Sequence, residues 1–507
     1  MRALFLEFIA ILCRPAFFFE KNSFPPLEFF VLRKIQRASF SAKSAVYCMG
    51  MKTRENFKSR IGFIMTSAGC AIGLGNVWRF PFITGQYGGA AFVFFYLIFL
   101  VILGTPIMLC EFSVGRASGK SSVRSFHALE PAGSKWHVFG YFAAAGNYIL
   151  MMFYTTVAGW MFSYIFKSAD GTLAGATPDE IRAVFPQMLA NPAEQVGWMA
   201  VAVIIGFAVC LRGLKDGVEK TSTIIMTSLL CLMLVLTARA VTLPGASKGL
   251  SFYLKPDFSK MAETGIGEVI FAAMGQSFFT LSLGIGSLAI FGSYIGKEKA
   301  LTGEAISIIA LDTFVAIMAG FIIFPSCFAF GENPGQGPGL IFTTLPNIFN
   351  AMPLGRLWGT LFFIFMSFAA LSTVIAVFEN IISFAIDMFG WSRKKAALVN
   401  AAALLVLSLP CALGFNLWSA VQVPGIGNIQ DVEDFIVSNN LLPLGSLVYI
   451  LFCTSRYGWG FKNFIAEANT GKGLKFPQQL RPYLTWVLPL IVIVIWAVGY
   501  LQKFILK

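Results

Sequence analysis

The sequence predicts an all-α polytopic membrane protein of about eleven spans, arranged as two inverted five-helix repeats and one added helix. Three observations lead there. Of the 507 residues, 57% are hydrophobic and only 12% are charged, where soluble domains carry roughly 25% charged residues. Apolar runs of about 20 residues, one bilayer crossing each, recur along the chain. Two of these runs are interrupted by glycines, and they lie about five runs apart, as the broken helices of inverted repeats do.

Residues 1–50 fit no span. They mix Phe17, Phe18, Phe19, Phe29 and Phe30 with Pro15, Pro25, Pro26 and seven Lys/Arg, and they show no small-residue cleavage site after an apolar core. Met51 then opens a compact basic start, MKTRENFKSR. The expectation is that translation begins at Met49 or Met51 and that residues 1–50 are a disordered extension or a misassigned start. A peripheral amphipathic anchor is the alternative. The membrane domain is expected over 51–507.

The first run, 60–81, reads RIGFIMTSAGCAIGLGNVWRFP, with Gly69, Gly73 and Gly75 in its middle and Asn76 and Arg79 after them. Glycines let a helix unwind. Backbone groups freed at membrane depth cost several kcal/mol each unless something polar meets them, so a break of this kind lines a cavity or holds a ligand. A packing face is the other reading, since Gly69 and Gly73 form a GxxxG pair. Further runs lie near 90–115, 138–166, 196–211 and 221–243, the one at 196–211 being short. The run 266–295 then repeats the broken pattern: Gly284 and Gly286 sit in mid-span, just after the hydroxyls of Thr280 and Ser282. Two such segments in corresponding positions, each with polar side chains, favour a binding site over packing. The remaining runs fall at 302–329, 356–388, 396–414, 432–453 and 483–502. The first repeat is expected over about 60–243 and the second over about 266–453, with 483–502 as the added helix.

Charge sets the orientation. Arg116, Lys120, Arg124 and Lys135 follow the second run; Arg212, Lys215 and Lys220 separate the fourth and fifth; Arg393, Lys394 and Lys395 the eighth and ninth; Arg456, Lys462, Lys472, Lys475 and Arg481 the last two. The loops at 84–90, 331–354 and 415–430 contain no Lys or Arg. The N-terminus is therefore expected in the cytoplasm and the C-terminus outside. The net charge of +13 is an orientation signal that leaves nothing for nucleic acid to explain. The nine cysteines form no CxxC and read as small apolar residues. Only two histidines occur, His127 and His137, so a His-based metal or nucleophile site is not expected. GRASGKSS at 115–122 is one residue short of a phosphate loop and follows no strand. No nucleophile–base set is visible, which argues against an enzyme.

GLGNVWRFP (73–81), GQSFFTLSLGIG (275–286) and VTLPGASKGLSFYLKPDFSKM (241–261) resemble the neurotransmitter:sodium symporter family, and within it bacterial amino-acid members similar to the bacterial leucine transporter. The likeness runs from about Lys52 to Leu501. It implies the leucine-transporter fold, sodium-coupled import of an amino acid by alternating access, and a multi-pass protein of the bacterial inner membrane. By resemblance, one sodium ion lies among the Ala71 carbonyl, Asn76, Thr280 and Asp312. A second takes carbonyls of Gly69, Ile72 and Ala369 and hydroxyls of Ser372 and Thr373, oxygen-only shells that suit a hard cation. Ordinary back-bonding to the helix is the other fate of such hydroxyls.

The resemblance places the substrate against Cys70, Ala71, Gly73, Leu74, Gly75, Leu150, Tyr154, Phe279, Thr280, Ser282, Ile285, Thr373 and Val377. Amine transporters of the family carry Asp where Gly73 stands, so this ligand must bring its own carboxylate, held by backbone N–H groups and Tyr154. Ile285 and Val377 are smaller than the Phe and Ile of the leucine transporter, leaving room for an aromatic substrate. Where that transporter has Asn and, one turn on, Glu, this chain has Asp312 and Ala316. Chloride-dependent relatives hold Cl⁻ beside this spot with residues matching Tyr96, Gln276 and Thr280; a fixed charge at Asp312 is expected to replace the anion. Arg79 with Asp434 and Arg54 with Asp387 are the expected outer and inner gates, with Phe57 in place of the family's Trp. A non-transporting amino-acid sensor on the same fold is the alternative function, disfavoured by the intact ligand sets.

Overall fold

The computed structural model describes residues 55–335 and 339–504. Residues 1–50 and Arg54 lie outside that range. The principal helices are α1 (Arg60–Ala71), α2 (Gly75–Gln86), α3 (Ala90–Ser118), α4 (Ser122–Leu129), α5 (His137–Ala169), α6 (Pro192–Leu211), α7 (Leu214–Val241), α8 (Ile266–Thr280), α9 (Ser287–Gly292), α10 (Leu301–Ala329), α11 (Gly355–Phe389), α12 (Arg393–Leu413), α13 (Ile429–Thr454) and α14 (Gln478–Phe504). Among the described residues there is no strand, only isolated bridges such as Lys299 with Lys472.

Among the described residues nine helices are long and apolar enough to cross a membrane, and α1 with α2, bent by 56°, makes a tenth. The expected sixth run, 266–295, is instead two helices, α8 and α9, separated at 281–286, and neither is long enough to cross alone. The short run at 196–211 gains a turn because Asn191 caps α6, its side chain accepting the N–H groups of Ala193 and Glu194, with Pro192 in the first position.

The first break arises where α1 stops. Ile72 turns extended after its N–H bonds to the Ala68 carbonyl, and α2 resumes at Gly75 with one wide turn before Pro81. The second is tighter: Ser282 takes a φ of 50°, Gly284 97° and Gly286 75°. A left-handed serine costs energy that its surroundings must hold in place. Those surroundings are close. A Cβ on Gly284 would stand 2.2 Å from the Leu442 carbonyl oxygen, and one on Gly445 would stand 2.0 Å from the Gly284 oxygen, so α13 lies backbone to backbone against the break.

Burial grades from the middle outward. Of the central stretch of α11, 78% is buried, and of α5, 72%, against 28% of α14. The outer helices turn Phe94, Val101, Ile204, Leu234, Trp486 and Leu490 outward. Such an apolar exterior suits hydrocarbon as its solvent. α1 packs against α7, α10 and α11, and its break is thereby held at the centre of the bundle.

Candidate functional site

Two clusters of oxygen atoms surround the first break. On one side, Ser372 Oγ of α11 lies 3.2 Å from the Ile72 carbonyl and 2.9 Å from that of Ala369. Thr373 Oγ1 lies 3.4 Å from the carbonyls of both Gly69 and Ile72. All five oxygens named from the sequence therefore meet where α1 ends, and they do so because the helix stops at Ile72 and leaves carbonyls unpaired. On the other side, Asn76, Thr280 and Asp312 converge from α2, α8 and α10, all buried. Thr280 Oγ1 donates to Asp312 Oδ2 at 3.1 Å, and Asn76 Nδ2 donates to Asp312 Oδ1 at 2.8 Å and to Thr280 Oγ1 at 3.0 Å. Asn76 was expected to offer oxygen here. It offers nitrogen, since the carboxylate attracts the donor end of the amide while Oδ1 accepts the Gly73 N–H at 3.1 Å. Ala71, the fourth expected member, lies in the last turn of α1.

Near this cluster the Tyr96 hydroxyl and Gln276 Oε1 are buried and form no hydrogen bond among the described residues, while Gln276 Nε2 donates to the Gly75 carbonyl at 3.1 Å.

The second break is satisfied by protein groups. The Gly284 N–H donates to Oε1 of the buried Glu111 carboxylate of α3, an acidic group beside the start of α9. Asn147 of α5 donates to the Ile285 carbonyl at 2.9 Å and accepts from Ser287 and Asn380, each at 3.0 Å. Sequence reasoning missed these residues. Glu111 carried a usable signal, an acidic residue inside the apolar run 90–115, because an ionisable group at membrane depth marks a functional position by default. Asn147 and Asn380 carried none.

Between the breaks lies a cavity of about 250 Å³. It is lined by the expected residues Ala71, Gly73, Leu74, Gly75, Leu150, Tyr154, Phe279, Ser282, Ile285 and Thr373. Cys70, Thr280 and Val377 do not line it. The Cys70 thiol lies beside Ser287, Thr280 is committed to Asp312, and Val377 is packed in the core. Of the two positions expected to enlarge the pocket, only Ile285 therefore faces it. The Tyr154 hydroxyl accepts the Leu74 N–H at 3.1 Å and lies beside the Thr373 hydroxyl. The N–H groups of Gly73 and Leu74, expected to meet a carboxylate, are thus already directed at Asn76 and Tyr154. Trp78, Arg79, Phe82, Gln430, Asp431 and Asp434 extend the lining beyond the expected residues, and these carry its charges.

The sodium:neurotransmitter symporter family matches residues 54–183 and 186–504. The chain belongs to that family. An uncharacterized sodium-dependent transporter of Bacillus subtilis, YhdH, is 33% identical over 86% of this chain and 96% of its own length. A similar transporter of Haemophilus influenzae is 33% identical over 88% of this chain and 98% of its own length. The crystal structure of MhsT in complex with L-phenylalanine matches with a TM-score of 0.79 and 37% identity, covering 88% of this chain and 99% of that one. Sodium- and chloride-dependent GABA transporter 2 of Bos taurus is 25% identical over 81% of this chain and 74% of its own length. The protein is accordingly a sodium-dependent, membrane-embedded symporter with the leucine-transporter fold, and not an enzyme.

The two ends of this symporter differ. At the end expected to face outside, Arg79 and Asp434, the expected gate, form no ion pair. Arg79 lies 4.0 Å over the Phe279 ring, and Asp434 accepts from Ser438 Oγ at 2.6 Å. Both line the cavity. At the other end Phe57 packs edge-on against Phe63 and Tyr294, at 5.5 and 5.9 Å between centroids, and its N–H donates to the Tyr294 carbonyl at 3.2 Å. Arg60 bonds Glu304 at 2.8 Å, and Glu219 accepts the N–H groups of Lys58 and Ser59 at 2.7 and 3.0 Å. Asp387 accepts the Ser121 N–H at 2.6 Å; its expected partner Arg54 is outside the described residues.

Proposed function

We propose that the protein imports a neutral apolar α-amino acid, aromatic ones included, together with sodium, by alternating access across the bacterial inner membrane with its N-terminus in the cytoplasm. The observation that carries this reading is that one unwound segment serves both partners. Gly69 and Ile72 present carbonyls to the hydroxyls of α11, while Ala71, Gly73 and Thr373 line the cavity. An ion bound there orders the backbone against which the substrate lies, so each favours the other's binding. The Tyr154 hydroxyl is the donor for the substrate carboxylate. Leu150, Phe153, Val157, Phe279 and Ile285 surround the side chain, and the charges of the lining are confined to Arg79, Asp431 and Asp434. MhsT, solved with L-phenylalanine, supports an aromatic ligand.

Two sodium ions crossing about 100 mV with a tenfold gradient each would release about 7 kcal/mol, enough to concentrate a zwitterion roughly 10⁵-fold. Transport needs no chloride. Asp312 sits beside Thr280, and Thr280 lies near Tyr96, so an anion there would meet a carboxylate at a cost of about 4 kcal/mol per 4 Å pair at an effective dielectric of 20.

Uptake of labelled L-phenylalanine into proteoliposomes tests the reading. Uptake should require an inward sodium gradient, persist when gluconate replaces chloride, and be competed by neutral apolar amino acids but not by phenethylamine or glutamate. Uptake driven equally by protons without sodium would refute the coupling.

A further inference from the structure

Both histidines of the chain converge on one carboxylate. α4 ends at Leu129, and the loop through Pro131 and Gly133, with a φ of 82° at the glycine, returns the chain to start α5 at His137. His127 Nδ1 lies 3.1 Å and His137 Nδ1 2.6 Å from Glu130 Oε1, and the two rings meet edge-on with centroids 5.3 Å apart. The second carboxylate oxygen is held separately. Oε2 accepts the Ser134 hydroxyl at 3.2 Å and the His137 N–H at 3.1 Å. The carboxylate is therefore oriented by its own loop, with Oε1 turned to the imidazoles, the outer-shell support that metal ligands receive.

We propose that His127, Glu130 and His137 form a binding site for a divalent transition metal ion such as Zn²⁺. Ligand atoms of the three side chains lie within 4.8 Å of one another. Bonds of about 2.0–2.1 Å to a tetrahedral zinc ion place neighbouring ligands roughly 3.3 Å apart, so small side-chain shifts suffice. Two imidazoles and one carboxylate are a zinc donor set that leaves a fourth position for water. The Glu130 side chain is only 6% exposed and that of His127 63%, so the anionic ligand is held in place while solvent reaches the imidazole. None of the three lines the transport cavity. Binding would replace the imidazole–carboxylate hydrogen bonds and tie the end of α4 to the start of α5. The other end of α4, at Ser122, lies against Gly286 in the second break.

Zn²⁺ titrated into the full-length, chelator-washed protein against a chromophoric zinc chelator tests the site. Binding of one Zn²⁺ is expected, weakened tenfold or more in each of His127→Ala, Glu130→Gln and His137→Ala. Co²⁺ used instead should give visible ligand-field absorption that His127→Ala abolishes. Because His127 is exposed, that variant keeps the fold, verified by sodium-driven uptake, even if Glu130→Gln does not. No binding competitive with the chelator, or equal binding by the double variant His127→Ala/His137→Ala, overturns the proposal.

Discussion

At the α1–α2 break a Cβ on Gly73 would stand 2.6 Å from both Thr373 Oγ1 and the Tyr154 hydroxyl, whereas at the α8–α9 break Gly284 and Gly286 are required by φ values of 97° and 75°. Gly73 and Gly75 never enter the left-handed region. The same mark in sequence, glycine in mid-span, thus has two causes. In the first break it keeps space beside a backbone that faces the cavity and the hydroxyls of α11. In the second it permits a turn that α13 clamps and that Glu111 and Asn147 fill with hydrogen bonds. One break borders a cavity. The other is scaffold.

Substitutions can separate the two roles. The largest effect is expected from Gly284→Ala, where a side chain meets both the wrong φ and the Leu442 carbonyl. A loss above about 3 kcal/mol should leave little folded protein in a thermal unfolding assay. A variant as stable as the parent would mean that this break, too, is adaptable. Next come Asp312→Ala and Thr373→Ala. Sodium-driven uptake should fall more than tenfold, while Asp312→Ala destabilises by only about 1–3 kcal/mol for the partners it strands; uptake and unfolding measured on the same preparation would distinguish ligand loss from misfolding. Gly73→Ala should leave the unfolding temperature near that of the parent and weaken substrate binding about tenfold, measured by scintillation proximity. If it unfolds instead, the first break resembles the second. The smallest effect belongs to Asp434. Asp434→Asn should change stability by less than about 1 kcal/mol, since an amide oxygen can still accept from Ser438, and show itself only as a slower uptake rate.

Much of this was legible before any coordinates. Low charge and repeated apolar runs specify a membrane bundle because hydrocarbon admits few charges and no unpaired backbone. Glycines with adjacent polar groups in 60–81 and 266–295 mark the breaks, since two such segments in corresponding positions favour a lined cavity over a packing face. The oxygen ligand set came from family resemblance, and its members on α1, α8, α10 and α11 are far apart in sequence.

Direction was beyond the sequence. Which end of the Asn76 amide meets Asp312, whether Cys70 and Val377 face the cavity or the core, and whether Arg79 reaches Asp434 or rests on Phe279 depend on side-chain and helix rotations that no spacing encodes. The pairing of Glu111 with the Gly284 N–H of the second break joins residues 173 apart in the chain. Composition and periodicity determined that this chain spans a membrane and where its helices break, because those follow from solvation of each segment by itself. Tertiary structure alone decided what fills each break, because a buried polar group takes the partner that packing brings within 3 Å.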